Sequence, residues 1–327
     1  MGTLRYLLAV LVLLSHAGVN LSGHHPGVMA VAVFYAISGY VMSALIQHHY
    51  SQAVAAPRFY LDRLLRIYPQ YGIYALVTAL WYGLTQQSTA FLQHAPSLQD
   101  VLNNLFIVPL NYYMVNGADQ FTLIPPAWSL GAELLFYLLA PWLWRYWRVT
   151  IGLSLVSLGV QVLAWHGVLH SDWWGYRLLP GVLWIFVLGM GMQRLHAGQQ
   201  QKAAQWLTLA VPVLCGLAVC YLWLSGLLAR HYTLEVLTGA AIAMPALLAC
   251  TRWPTSAPWR RLDHHLGNIS YGVFLNHFLL MWLLSWQAPL NSPQLLGLVV
   301  CSTLLSHCTF QWIETPALQW RRRLRQT

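Results

Sequence analysis

Charged side chains are scarce in this sequence. Only 8% of its 327 residues are Asp, Glu, Lys or Arg, whereas 58% are hydrophobic. A soluble globular domain usually carries about 25% charged residues, so this composition excludes an ordinary soluble fold. Apolar runs of about 20 residues recur along the chain, and a run of that length spans a bilayer core as a helix. The weakly alternating segments of about ten residues that are typical of a transmembrane barrel are absent.

Cysteine is also rare. The chain has five cysteines, and none of them belongs to a CxxC pair. All five lie within apolar runs, at Cys215, Cys220, Cys250, Cys301 and Cys308. This spacing indicates neither a zinc site nor a disulfide framework, so we interpret the cysteines as packing residues and predict no metal cofactor. Repeats, low-complexity linkers and a soluble segment are missing too, and we therefore predict a single membrane domain over residues 1–327.

The hydropathy pattern predicts an all-α polytopic membrane protein with about ten transmembrane helices. The predicted spans cover residues 4–20, 28–47, 68–87, 128–144, 149–166, 180–195, 206–226, 234–250, 268–286 and 294–313. The loop from 88 to 127 is the longest, and its semi-apolar part, Val101 to Met114, is too short to cross the bilayer comfortably. We predict a re-entrant or interfacial element there.

The positive charges predict the orientation of these helices. With the N-terminus in the cytoplasm, every one of the 17 Lys and Arg residues except Arg177 and Arg230 falls on the cytoplasmic side. An extra span at 101–114 would invert everything after it and destroy this asymmetry, so the pattern favours ten spans and places both termini in the cytoplasm. Orientation also explains the net charge of +9 without nucleic-acid binding.

One alternative concerns the first predicted span. Residues 1–18 resemble a short secretory signal, with Arg5, an apolar stretch and a small-residue end at Ser15-His16-Ala17. Cleavage there would leave nine spans. The stretch from Leu4 to Asn20 is also long enough to cross a bilayer, and we predict that it does.

Five ionisable side chains stand out within or near the ends of the predicted spans, and they are His16, Glu133, His277, His307 and Glu314. Burying such a group costs about 2.5–3.5 kcal/mol on insertion scales, so a functional role is the first expectation. We interpret His307 as a packing residue. His16 follows Arg5 by eleven residues, which places it about 16 Å into the membrane. Glu133 shares a helix face with Ser129, four residues before it, and His277 lies near mid-depth. The structural alternative for His16 is a hydrogen-bonded histidine that only packs in the core. The structural alternative for Glu133 is a buried ion pair between two helices.

Arg63 and Arg66 form a pair at the predicted inner surface. Their spacing of three places both guanidinium groups on one face of a short helix. Each guanidinium offers a planar fork of donors, which suits phosphate recognition. The alternative is plain positive-inside signalling beside lipid head groups.

Six short motifs stand in one order along the whole chain. They are Arg5-x10-His16, Phe34-Tyr35-Ala36-Ile37-Ser38-Gly39-Tyr40, Arg63-Leu64-Leu65-Arg66, Trp128-Ser129-Leu130 with Glu133, Leu266-Gly267-Asn268-Ile269-Ser270-Tyr271 with His277, and Ile313-Glu314-Thr315-Pro316 before a basic tail. Each motif is weak alone. Together, in a chain of ten predicted spans, they resemble acyltransferase family 3, whose members are membrane enzymes that acylate sugars at bacterial cell surfaces. This sequence departs from longer relatives because it has no extra soluble esterase-like domain.

The resemblance implies an O-acyltransferase of the bacterial inner membrane. An acyl-CoA, with acetyl-CoA as the expected donor, would bind from the cytoplasm with its phosphates at Arg63 and Arg66. Arg5 belongs either to this donor site or to the topology signal. The acceptor would be a hydroxyl of a glycan or a lipid-linked saccharide that enters from the outer face, and membrane lipid surrounds the protein. The cycle must finish within the membrane domain or pass the acyl group to a separate protein.

The residues receive roles within that mechanism. His16 is the expected catalytic residue, either as the base that deprotonates the hydroxyl or as a transient acyl carrier. Glu133 is expected to orient the imidazole and to stabilise its protonated form, as the third member of a hydrolase triad does. Contact with substrate, or support of these groups, is predicted for Trp128, Ser129, Ser38, Tyr271 and His277.

Two other classes of protein compete with this interpretation. A transporter of a lipid-linked sugar or acyl donor also uses mid-membrane His and Glu with helix-breaking Gly and Pro, but no inverted repeat relates the two halves of this chain. A scaffold without catalysis would leave the buried His and Glu residues and the Arg63/Arg66 face unexplained. The sequence therefore predicts an enzyme.

Overall fold

The structure confirms the predicted all-α class. The computed structural model describes residues 1–252 and 256–326, without the side chains of 322 and 324–326. Within these ranges all regular structure is helical and no β-strand occurs. The chain divides into two compact units, each assembled from separate stretches of sequence.

The first unit comprises Asn20–Ala56 and Leu135–Leu262. Its helices are α2 (Pro26–His49), the later part of α6 (Trp128–Arg145), α7 (Trp147–Trp165), α8 (Leu179–Ala197), α9 (Gln201–Leu224) and α10 (Thr233–Arg252). Two glycines allow α2 and α8 to touch backbone to backbone. A Cβ on Gly39 would overlap the carbonyl oxygen of Phe186, and one on Gly189 would overlap that of Ala36. Such small-residue contacts are typical of helix pairs in membranes.

The second unit comprises Gly2–Val19, Pro57–Leu134 and the chain from Asp263 onward. Its helices are α1 (Gly2–His16), α3 (Ala56–Thr85) from Pro57, α4 (Leu98–Phe106), α5 (Tyr113–Asn116), the first turns of α6, α11 (Ala257–Leu283) from Asp263, α12 (Ser292–Thr309) and α13 (Thr315–Gln326). The piece predicted to be re-entrant or interfacial folds as α4, a 3-10 turn at Val108–Tyr112 and α5. Its position relative to a bilayer stays a prediction.

Helices α1 and α11 run parallel and in register. At one end a Cβ on Gly267 would lie 2.8 Å from the Cα of Gly2. The carboxylate of Asp263 accepts hydrogen bonds from the N–H of Gly2 at 3.1 Å and the N–H of Thr3 at 2.8 Å. At the other end His16 stacks on His277, with ring centroids 5.1 Å apart. Both ends of α1 are therefore fastened to α11.

Replacement of Asp263 by alanine should destabilise the protein by about 1–2 kcal/mol, because this carboxylate satisfies orphan N–H groups in the first turn of α1. Burial raises the pKa of Asp263, whereas the hydrogen bonds from Thr3 and Gly2 lower it. The hydrogen bonds have the larger combined effect, so the pKa lies below its ordinary value of 3.8. A depressed pKa means that this stabilisation is present above about pH 4 and is lost as the pH falls below that range.

Thermal unfolding in detergent at pH 7 measures this contribution. Asp263→Asn keeps an acceptor oxygen and should lose less than Asp263→Ala. Equal midpoints for Asp263→Ala and the unaltered protein would contradict the assigned role.

Six helical segments in the described part of the chain are long and apolar enough to cross a membrane. They are Pro26–His49, Trp147–Trp165, Trp173–Ala197, Gln201–Leu224, Thr233–Arg252 and Ser292–Arg321. Helix α1 is apolar but shorter. The predicted spans at 68–87, 128–144 and 268–286 coincide largely with α3, α6 and α11, which are not among the six. The chain is a multi-pass membrane protein.

Candidate functional site

His16 and His277 form a hydrogen-bonded pair in the second unit. Nδ1 of His16, the last residue of α1, lies 2.9 Å from Nε2 of His277 in α11. The two rings are nearly parallel, with an angle of 14° between their planes. Nδ1 of His277 lies 3.2 Å from the carbonyl oxygen of Val273. His277 is fully buried, whereas His16 is half-buried and borders the surface.

These partners assign the protons of the neutral pair. A carbonyl oxygen only accepts hydrogen bonds, so Nδ1 of His277 carries a hydrogen and donates it to Val273. Nε2 of His277 is then an acceptor, and it receives the Nδ1–H of His16. Nε2 of His16 therefore carries the lone pair of that imidazole. This is the nitrogen with which a histidine takes a proton from a hydroxyl or attacks a carbonyl carbon.

His277 contacts the ring nitrogen of His16 at which an orienting group acts. Sequence reasoning gave the orienting role to Glu133 and only a supporting role to His277. The structure places His277 against Nδ1 of His16. Glu133 lies in the second turn of α6, in the same unit, and is half-buried. Its role as an orienting carboxylate stays a prediction.

Arg63 lies in an ion-pair cluster near the start of α3. Its Nε donates to Oδ2 of the neighbouring Asp62 at 3.1 Å. Oδ1 of Asp62 accepts from Nε of Arg321, in α13, at 3.2 Å. Asp62 is fully buried, and Arg63 and Arg321 are only 5% and 7% exposed. One carboxylate therefore joins two buried guanidinium groups.

Arg66 lies one turn further along α3, in a second ion pair. Its guanidinium contacts the carboxylate of Glu314, which is buried. The guanidinium carbon also lies 5.3 Å from the centroid of the Tyr271 ring. The Tyr271 hydroxyl donates to the carbonyl oxygen of Ile67 at 3.2 Å. The side chain of Arg66 keeps 22% of its surface exposed, so it is the more accessible of the two predicted arginines.

Asp62, Arg63, Arg66, Glu314 and Arg321 together form what we call the arginine cluster. Its three guanidinium and two carboxylate groups leave a net charge of +1 at neutral pH. Sequence reasoning found Arg63 and Arg66 but treated them as open to phosphate. It overlooked Asp62, although this carboxylate stands directly before Arg63 in the chain.

The start of α6 is fixed by local hydrogen bonds. The Ser129 hydroxyl donates to the carbonyl oxygen of Pro126 at 3.0 Å. The side-chain amide of Asn111 donates to the carbonyl oxygen of Trp128 at 3.2 Å. The bond made by the Ser129 hydroxyl stabilises the first turn of the helix.

The remaining predicted residues lie in different parts of the fold. Arg5 is in the second turn of α1, in the second unit, whereas Ser38 is buried within α2 of the first unit. Among the residues whose side chains are described, no three His, Cys, Asp or Glu groups are placed to hold a metal ion. The second unit thus gathers every predicted site residue except Ser38.

Comparison with known proteins identifies the family of the chain as a whole. A family model described as an acyltransferase domain matches residues 2–310. An uncharacterised protein of Aquifex aeolicus (strain VF5) is 33% identical over 165 residues, which cover 50% of this chain and 72% of the relative. Nodulation protein 10 of Rhizobium leguminosarum bv. viciae is 26% identical over 324 residues, which cover 89% of this chain and 82% of the relative. No solved structure matches. Because the family model covers nearly the whole chain, the protein belongs to acyltransferase family 3.

Proposed function

We propose that this protein is a membrane O-acyltransferase that moves an acyl group, most simply acetyl, from cytoplasmic acyl-CoA to a hydroxyl of a cell-surface or periplasmic glycan. The observation that carries the proposal is the His16–His277 pair, which leaves the lone pair on Nε2 of a half-buried imidazole. In the proposed arrangement the chain is one domain of ten spans in the bacterial inner membrane, with both termini in the cytoplasm.

The proposed chemistry is proton transfer coupled to acyl transfer. A hydroxyl is a weak nucleophile until a base removes its proton, and Nε2 of His16 takes that proton. The hydroxyl oxygen bonds to the thioester carbonyl carbon, and the carbon–sulfur bond breaks. The departing thiolate recovers the proton from His16, so the products are the ester and free CoA. His277 accepts from Nδ1–H throughout and keeps the ring in place, and Glu133 is the proposed counter-charge for the transient imidazolium.

The donor side of the proposal uses the arginine cluster, with Arg5 as a further cation in α1. Arg66 contacts Tyr271, which precedes His277 by six residues on α11. Six residues of helix correspond to about 9 Å along the axis. The pantetheine arm of CoA would bridge this interval, with its phosphates at Arg66 and its thioester near His16. Trp128 and Ser129 are proposed to contact the substrate near His16.

The test is transfer by the purified protein in liposomes. Acetyl-CoA labelled in the acetyl group is added together with a lipid-free polysaccharide fraction. This fraction is released from the surface of the cells in which the protein naturally occurs. We expect base-labile label on the polysaccharide. Label that only crosses the vesicle membrane and stays free of ester linkage would instead identify a transporter.

His277 should act as a positioning residue for His16. His277→Leu removes the acceptor for the His16 Nδ1–H, and we expect kcat to fall by about 10–100-fold while KM for acetyl-CoA is unchanged. His277→Gln places an amide oxygen close to the original Nε2 and should restore part of the rate. Equal rates for the Leu and Gln variants, at equal unfolding temperatures, would argue against this role.

A further inference from the structure

Four aromatic side chains continue outward from the histidine pair. The ring centroid of Phe278 lies 5.1 Å from that of His16, and Trp282 follows at 5.7 Å from Phe278. Trp81, from the last turns of α3, stacks on Trp282 with centroids 5.8 Å apart and planes within 9°. Phe91 meets Phe278 edge-on at 5.3 Å. We call Trp81, Phe91, Phe278 and Trp282 the aromatic wall.

The loop that carries Phe91 is held in place by its backbone. The carbonyl oxygen of Phe91 accepts from the N–H of Thr122 at 2.7 Å, and the N–H of Gln93 donates to Gln120 at 3.0 Å. The next residue, Leu92, is fully buried and packs with Tyr82 and Phe121. These backbone hydrogen bonds and the packing of Leu92 therefore hold Phe91 beside Phe278.

The aromatic wall differs from the most exposed tryptophans of this chain. Tryptophans that anchor a membrane protein at the interface point outward. The exposure of Trp206, Trp223 and Trp312, at 71%, 68% and 74% of their surface, is of that kind. Trp81 and Trp282 are only half-exposed and stack on each other. Anchoring requires neither the stacking nor the continuation through Phe278 to an imidazole.

We propose that the aromatic wall binds a sugar ring of the acceptor and presents one of its hydroxyls to Nε2 of His16. The inference rests on the proposed function. A pyranose has a flat C–H face that packs on an aromatic ring, whereas its hydroxyls project from the rim and stay available for chemistry. Phe278 is buried and touches both Trp282 and His16, so a sugar seated on the half-exposed Trp81 and Trp282 lies one ring away from the base.

The test compares Trp282→Leu and Trp81→Leu with the matched control Trp223→Leu, a tryptophan of the first unit. The acceptor is the lipid-free polysaccharide fraction of the producing cells at varied concentration, and the donor is labelled acetyl-CoA. We expect KM for the polysaccharide to rise by about tenfold or more in both wall variants, because a stacking contact is lost. KM for acetyl-CoA should be unchanged, and Trp223→Leu should match the unaltered protein.

Other outcomes would contradict either the sugar site or the proposed function. An unchanged acceptor KM in both wall variants, with transfer intact, would reject the sugar site and leave the proposed function standing. A raised KM for acetyl-CoA alone would show that the wall binds the donor. Failure of the unaltered protein to transfer label would overturn the proposed function, and the sugar site with it.

Discussion

Replacement of His16 by alanine should lower the rate of acyl transfer by about 10²–10⁴-fold, the range that a positioned general base contributes. In the proposed mechanism the imidazole supplies the lone pair that removes the hydroxyl proton, and alanine has no group that could do so. The measurement is transfer of labelled acetyl to the polysaccharide at saturating donor and acceptor. KM for acetyl-CoA should change little, because the proposed binding site of the donor phosphates is the arginine cluster.

The matched control is His307→Ala. His307 is a half-buried histidine of α12, in the same unit, whose Nε2 lies 2.8 Å from the side-chain amide of Gln311. It has no part in the proposed chemistry, so its variant should keep normal activity. Full activity of His16→Ala, at an unfolding temperature equal to that of the control, would end the assignment of His16 as the base.

Replacement of Asp62 by alanine should be among the most destabilising single changes, at about 3–5 kcal/mol, the cost of leaving buried charge uncompensated. Asp62 is fully buried and bonds to both Arg63 and Arg321. Without its carboxylate two buried guanidinium groups face each other across a neutral side chain. Thermal unfolding in detergent should show a large fall in midpoint, and we expect less folded protein in the membrane.

Two further variants separate charge from shape. Asp62→Asn keeps the size of the side chain but removes its charge, so it should show most of the loss. Asp119→Ala removes an exposed carboxylate from the same unit and should leave the midpoint within a degree or two. A midpoint for Asp62→Asn equal to that of the unaltered protein would mean that the arginine cluster does not depend on this charge.

Much of the fold was accessible from the sequence because bilayer thickness fixes the length of a spanning helix. Each of the six strongly apolar helical segments contains or largely overlaps a predicted span. The piece from Val101 to Met114 was harder to predict. A capping box at Ser97 and Asp100 starts α4, and the backbone turns at Ile107, where φ is +64°, to begin the 3-10 turn. These local signals are weaker than a long apolar run.

The sequence was sufficient to choose the candidate residues one by one, but it did not show which of them contact each other. His16 stood out because an imidazole at mid-depth is costly, and Arg63 and Arg66 stood out by their spacing. The partners were not readable, because His16 and His277 are 261 residues apart and Asp62 and Arg321 are 259 apart. Periodicity identifies the face of a helix that is buried, but it does not identify which distant helix covers that face.

The double attachment of α1 to α11 constrains the number of residues between the two ends of α1. Gly2 and Thr3 are held by Asp263, and His16 is held by His277. One inserted residue between these attachments would rotate the imidazole by about 100° and displace it by about 1.5 Å, away from its partner. The interval between Arg5 and His16 is therefore set by the two attachments of the helix, without any contact between the two side chains, and α1 acts as a spacer with a fixed number of residues.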